Sequence, residues 1–196
     1  MGRRGEHGRT RVSRRLSFVL RHNPGSIGIN LEAGGWVDVD VLLKALASHG
    51  LVLTRRQLDD LVAADDKQRF ALGQGGTRIR ANQGHSVAVD LGLAVAVPPP
   101  TLFHGTVPAA LESITARGLL RGQRHHVHLS PDAASARRVG ARRGSPVVLT
   151  VDAAAMSDAG TPFLRSANGV WLTEHVPARY LALDGARLAG RHPRGG

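Results

Sequence analysis

The chain has 196 residues, no cysteine and a formal net charge of +11, from 26 Lys+Arg against 15 Asp+Glu. Without cysteine there is no disulfide, thiolate metal site, iron–sulfur cluster or cysteine nucleophile. No apolar run reaches the ~20 residues of a membrane span, and the start has no apolar signal core. A cytoplasmic chain with no membrane partner is expected. Residues 1–10 are Gly/Arg-rich and aperiodic, which predicts a disordered basic arm. Val12, Leu16, Val19 and Leu20 then fall on one helical face, stopped by Asn23-Pro24. A Gly34-Gly35-Trp36-Val37 stretch predicts a short strand and an aromatic core plug. A second helix carries Val41, Leu42, Ala45 and Leu46, entered from Asp38 or Asp40 and closed by Gly50. The third opens on Thr54-Arg55-Arg56-Gln57, a capping-box spacing, and buries Leu58, Leu61 and Val62. Alternating runs at Arg69–Leu72 and Arg78–Ala81, joined across glycines, predict a hairpin.

Three short helices followed by a two-stranded wing predict a winged-helix lobe over residues 11–94. Residues 95–100 (VAVPPP) read as a stiff linker, since consecutive prolines favour extended geometry. The second half, residues 101–190, alternates short strands with brief helices. Strands are expected at Thr101–His104, His126–Leu129, Val147–Val151 and Gly169–Leu172, and helices at Ala109–Arg117 and Pro131–Val139. That texture predicts an α+β fold with a mixed or antiparallel sheet rather than a doubly wound one. Residues 191–196 form a tail. No Gly-x-Gly-x-x-Gly turn or P-loop is present.

Only Lys44 and Lys67 are lysines, so the cationic surplus is almost all guanidinium, whose planar fork suits phosphate. The glutamates are Glu6, Glu32, Glu112 and Glu174, and no metal-binding or paired-acid motif occurs. The chemistry expected is therefore cationic, acting on bound phosphate without a metal. Four clusters could carry it: Arg21-His22 at the end of helix one, Arg80-Ala81-Asn82-Gln83-Gly84-His85-Ser86 at a strand end, Phe103-His104-Gly105-Thr106, and Arg124-His125-His126-Val127-His128-Leu129-Ser130. Each has a plain structural reading. A helix dipole favours Arg21 and His22 in a last turn, and His126 with His128 imitates a zinc pair that has no third ligand to complete it.

Taken together and in order, these runs resemble the tRNA 2′-phosphotransferase family. The resemblance is carried by Leu16-Ser17-Phe18-Val19-Leu20-Arg21-His22, Gly35-Trp36-Val37, Lys67-Gln68-Arg69-Phe70, the Ile79 to Ser86 run, Phe103-His104-Gly105-Thr106, His126-Val127-His128-Leu129-Ser130 and Asn168-Gly169-Val170-Trp171-Leu172-Thr173. It covers nearly all of residues 12–183.

The resemblance implies an N-terminal winged-helix lobe that binds RNA and a C-terminal lobe of ADP-ribosyltransferase type that binds NAD. The implied reaction starts with an internal RNA 2′-phosphate attacking the nicotinamide-bearing ribose carbon of NAD. Nicotinamide leaves an ADP-ribosylated RNA, and the neighbouring ribose hydroxyl then attacks phosphorus. The products are 2′-OH RNA and ADP-ribose cyclic phosphate. An Arg-His-Arg-Arg set on the phosphate carries over to Arg21, His22, Arg80 and, for the fourth, Arg124, with Arg121 and Arg142-Arg143 as alternatives. His22 either orients the phosphate or moves the hydroxyl proton. NAD falls to His104, Gly105, Thr106, His128 and Ser130, with Gly105 expected to let the dinucleotide approach its backbone. Arg69, Asn82, Gln83 and Ser86 are expected to bind substrate. A tRNA-like RNA carrying the 2′-phosphate is the expected partner, and a monomer the expected state. Two other readings stand beside this one: an ADP-ribosyltransferase capping terminal phosphates of RNA or DNA, and a winged-helix DNA-binding regulator. Against the regulator, Asp59, Asp60, Asp65 and Asp66 on the third helix repel a duplex backbone.

Overall fold

The first helix, α1, spans Arg3–Arg21 in a computed structural model that describes residues 3–183 and 185–188. The segment read as a disordered arm is therefore helical from Arg3 onward. Arginine is a good helix former, and a helix already nucleated by packed turns adds one hydrogen bond per residue as it extends. The expected tail over residues 191–196 lies outside the described residues. Two compact units make up the chain, Met1–Gly92 and Leu93–Gly196.

In the first unit, Leu16, Val19 and Leu20 of α1 are fully buried and Val12 packs beside them. Asn23 ends the helix by accepting a hydrogen bond from the Ser26 amide, opening a 3-10 turn at Pro24–Ile27. Strand β1 (Val37–Asp38) leads directly into α2 (Val39–Ser48), whose N-terminus is capped by the Asp38 carboxylate on the Asp40 and Val41 amides. Helix α2 buries Val39, Leu42 and Leu46; Val41, expected on that face, is 50% exposed. Helix α3 (Arg55–Ala63) carries the capping box of Thr54 and Gln57 in full and buries Leu58 and Leu61. The hairpin consists of β2 (Phe70–Gly73) and β3 (Arg78–Ala81), with Phe70 opposite Ala81. Strand β1 adds to it through Val37 opposite Ile79, giving an antiparallel sheet in the order β1-β3-β2. On β3 the alternation is clean: Ile79 and Ala81 enter the core while Arg78 and Arg80 face the other way.

Trp36 is half-buried and does not plug the core. Its ring lies across Gly73, where a Cβ would come within 2.7 Å of it. The opposite requirement, a side chain reaching outward to the ring, is met by Arg80.

The second unit is built on β4 (Thr101–Thr106), followed by α4 (Leu111–Arg117), β5 (Leu119–Leu120), β6 (Val127–Leu129) and α5 (Ala133–Gly140). Then come β7 (Val147–Asp152), α6 (Ala153–Asp158), β8 (Leu164–Arg165), β9 (Trp171–Thr173), β10 (His175–Val176), β11 (Leu181–Leu183) and β12 (Ala186–Arg187). They form sheets β12-β11-β7-β4, β6-β9-β8 and β10-β5, and every described strand pair is antiparallel. The α+β class expected from the sequence is what the chain adopts. Leu102, Leu129, Leu149, Val151, Met156, Phe163 and Trp171 are among the buried residues of this unit's core.

Two expected segments take a more definite form here. The 95–100 segment, read as a stiff linker, is hydrogen-bonded into the second unit: the Ala96 amide donates to the Phe163 carbonyl, and the Pro100 carbonyl accepts from Ala153 and Ala154. It is an edge of the second unit, because prolines in extended geometry still offer carbonyls for pairing. The strand expected at Gly169–Leu172 starts at Trp171, since Gly169 (φ +78°) closes a turn in which the Ser166 amide donates to Val170.

Candidate active site

In the first unit, the polar run after β3 is tied down at both ends. The Arg21 carbonyl, at the end of α1, accepts from the Ser86 amide at 2.9 Å and the Val87 amide at 3.3 Å. The Asn82 amide donates to the Arg69 carbonyl at 2.9 Å, and its Nδ2 donates to the Gln68 carbonyl at 2.6 Å. The same Arg69 carbonyl accepts from Nη2 of Arg21 at 3.3 Å. Terminal helix carbonyls otherwise lack partners, so the loop both satisfies the end of α1 and fixes Arg21 and His22 beside residues 82–87. His22 Nδ1 lies 2.9 Å from Ser86 Oγ. Arg21, His22, Asn82 and Ser86 are thus brought together, with Ser86 and His22 exposed and Gln83 half-buried.

Arg80 is held differently. Nη1 donates to the Gly34 carbonyl at 3.2 Å, and its guanidinium carbon lies 4.6 Å from the centroid of the Trp36 ring. Its Nε is buried without a hydrogen bond, and no carboxylate pairs with it among the described residues. A cation stacked on an aromatic face keeps its charge while losing rotamer freedom.

Two expected substrate ligands also make contacts within the unit. Asn82 is 5% exposed and donates its Nδ2 to the Gln68 carbonyl, while its Oδ1 is buried without a hydrogen bond. The Arg69 guanidinium pairs with Asp65, four residues earlier, so its charge is already neutralised within the unit. That i, i+4 acid was visible in the sequence.

In the second unit, Phe103 and Ser130 exchange both backbone hydrogen bonds, at 2.9 and 2.8 Å, which sets His104 beside His128. His104 Nδ1 lies 3.0 Å from the His128 carbonyl. A carbonyl only accepts, so Nδ1 carries the proton. Burial pushes the His104 pKa below the ordinary imidazole value. The His128 hydrogen bond opposes that shift, and the charges of Arg143 and Arg124 add to it. The ring is therefore neutral at pH 7 and offers Nε2 as a hydrogen-bond acceptor.

The charges felt at His104 also sort the arginines. Arg124 and Arg143 act on His104, Arg142 acts on Arg124, and Arg121 acts on His126 instead. Arg124 is itself lowered, first by burial and then by the like charges of Arg143 and Arg142. Among the described residues no acid forms an ion pair with these three.

Gly105 has a packing role of its own. A Cβ there would collide with the carbonyl of Ala136, so the missing side chain admits helix α5. Thr106 is 3% exposed and belongs to the interior. Helix α5 packs closely on β4 there, and Arg143, three residues past its end, acts on His104. Of the Arg142-Arg143 alternative named from the sequence, Arg143 bears on both His104 and Arg124, and Arg142 on Arg124. No group of three or more His, Cys, Asp or Glu residues able to hold a metal occurs among the described residues.

The first unit thus holds Arg21 and Arg80 on backbone carbonyls and an aromatic face, and the second surrounds His104 with like-charged arginines. Comparison with known proteins identifies the chain's family. The model of the family described as "RNA 2'-phosphotransferase, Tpt1 / KptA family" matches residues 7–175. A relative from Streptomyces coelicolor named "Probable RNA 2'-phosphotransferase" is 60% identical over 171 residues, covering 87% of this chain and 93% of its own length. Relatives of the same name from Burkholderia pseudomallei (51% over 176 residues, 90% of this chain and 96% of the relative) and Pseudomonas aeruginosa (52% over 171 residues, 87% and 94%) agree. The chain belongs to the RNA 2′-phosphotransferase family.

Proposed function

We propose that this protein removes an internal 2′-phosphate from RNA in an NAD-dependent reaction, leaving a 2′-hydroxyl. The observation that carries the reading is the state of Arg80, immobilised by the Gly34 carbonyl and the Trp36 ring while no described carboxylate neutralises it. A guanidinium prepared in this way suits a phosphate dianion, and each charge-assisted hydrogen bond contributes on the order of 1.5–3 kcal/mol. Arg21 and Arg80 hold the phosphate. His22, with Nδ1 engaged by Ser86, presents Nε2 to it.

The second unit fits a dinucleotide by the chemistry of its donors. His104 offers a neutral acceptor for a ribose hydroxyl, and Arg124 and Arg143 offer the charge a diphosphate requires. NAD, when bound, supplies an electrophilic ribose carbon to take up the phosphate, with nicotinamide as leaving group. Because the substrate phosphate is the nucleophile of the first step, that step needs no general base; the hydroxyl that attacks phosphorus in the second step gives up a proton, which His22 is placed to accept. The helices and hairpin of the first unit support a winged-helix lobe, and the short antiparallel strands of the second support one of ADP-ribosyltransferase type.

The test is incubation with an oligoribonucleotide bearing one internal 2′-phosphate, with and without NAD. The expected result is loss of the phosphate only with NAD, accompanied by nicotinamide and ADP-ribose cyclic phosphate. Phosphate loss without NAD refutes the NAD dependence. A stable ADP-ribosylated oligonucleotide assigns the chain to terminal capping chemistry instead.

A further inference from the structure

On α1, Arg11, Arg15, Phe18 and His22 fall at positions i, i+4, i+7 and i+11, which places them in one line along the helix. His22 continues that line because its amide still donates to the Phe18 carbonyl at 2.9 Å. The line is clear of the buried face made by Leu16, Val19 and Leu20. Phe18 is 41% exposed although a neighbouring helical position would have buried it. The Arg15 guanidinium lies 5.8 Å from its ring centroid, and the His22 ring, tilted against it, lies 6.4 Å away. From Arg11 to His22 the strip covers about 16 Å of helix. No Asp or Glu occurs between Glu6 and Glu32, and among the described residues neither Arg11 nor Arg15 forms an ion pair.

An exposed phenylalanine alone is ordinary. One sitting between a guanidinium and the histidine assigned to the phosphate has a specific complement, an unstacked base whose flanking phosphates reach Arg15 and Arg11. A duplex hides its base faces and a protein partner would need a wider apolar area than one ring, so both fit less well. Resting on the functional reading above, we propose that the Arg11–Arg15–Phe18 strip of α1 is the docking track for single-stranded RNA flanking the 2′-phosphate. One nucleotide stacks on Phe18 and the backbone runs along the arginines.

The experiment compares a 2′-phosphorylated dinucleotide with a single-stranded decamer carrying the same 2′-phosphate in its interior. Binding of an unmodified decamer is followed in parallel by fluorescence anisotropy. The wild type should show a lower KM for the decamer. Phe18→Ala should shrink that advantage and weaken decamer binding by about 5- to 150-fold, the range expected for losing one base–aromatic stack. Phe18→Trp should retain both. Arg11→Ala with Arg15→Ala should flatten the dependence of log K on log salt by about 1.4, two phosphates' worth for a single strand. A wild type without length preference, equal effects of Phe18→Ala on both substrates, or unchanged anisotropy overturns the track. If the wild type processes neither phosphorylated substrate, the functional reading fails, and the anisotropy arm still decides the track.

Discussion

In residues 1–92, Arg69 lies against Asp65, Arg78 against Glu32, and Arg80 between the Gly34 carbonyl and the Trp36 ring. Around His104 in residues 93–196, Arg142 and Arg143 both bear on Arg124, and none of the three forms an ion pair among the described residues. The first arrangement spends neutral oxygens, two carboxylates and an aromatic face to fix single cations. The second gathers like charges and leaves them to be relieved by whatever binds. Fixed donors aimed at one group suit the part of a substrate whose charge must be met without reorganisation. A crowded cationic surface suits an extended anion whose binding offsets the repulsion.

The strongest way to break this contrast is to remove a fixed cation. Arg80→Ala is expected to lower kcat for 2′-phosphate removal by about 100-fold, the scale of losing one preorganised donor to a developing charge. Its melting temperature should fall only slightly, because Ile79 and Ala81, not Arg80, supply the β3 contribution to the core. A variant that keeps near wild-type turnover would show that Arg80 is a stacking residue for Trp36 and nothing more.

The crowded arrangement includes Arg143, just past the closely packed α5, so its test is a packing change. Gly105→Ala should destabilise the chain by about 1–3 kcal/mol through overpacking, because the new methyl meets the Ala136 carbonyl. Thermal unfolding measures it. Unchanged stability would mean that α5 moves aside at no cost.

What could be read from the chain beforehand follows the range of each interaction. The Thr54–Gln57 box and the Asp38 cap act over three residues, and both stand as the spacing implies. The hairpin followed from alternation on two neighbouring segments. Trp36 misled because an aromatic after two glycines looks like core, and its partner Arg80 lies on a different element. The helix over residues 3–11 was hidden because apolar periodicity ends at Val12 while arginine propensity carries the helix on. Strands β5, β8, β10 and β12 have two residues each, too few to show a period. In the site, Arg21, His22 and Ser86 were legible as runs and are joined by short contacts. The burdens on Asn82, Arg69 and Gly105 came from neighbours that only the fold supplies.

The smallest expected effect is the most specific to the crowded unit. His104 has its pKa lowered in the fold from the ordinary 6.5, chiefly by burial and further by Arg143 and Arg124. Below pH 6.5 the unfolded chain therefore binds more protons at this position than the folded one. The stability His104 contributes is complete above that pH and is lost as the pH falls through the lower, folded value. Thermal melts between pH 8 and 5 should show this acid-side loss, and His104→Gln should flatten it. Arg143→Gln removes one of the two opposing charges but none of the burial, so the folded pKa should move partway back toward 6.5 and the loss should shrink without vanishing. An imidazole titration followed by NMR reads the shift directly. If Arg143→Gln leaves His104 unmoved, Arg143 exerts no field on that ring, and the contrast between fixed and crowded cations no longer holds for the second unit.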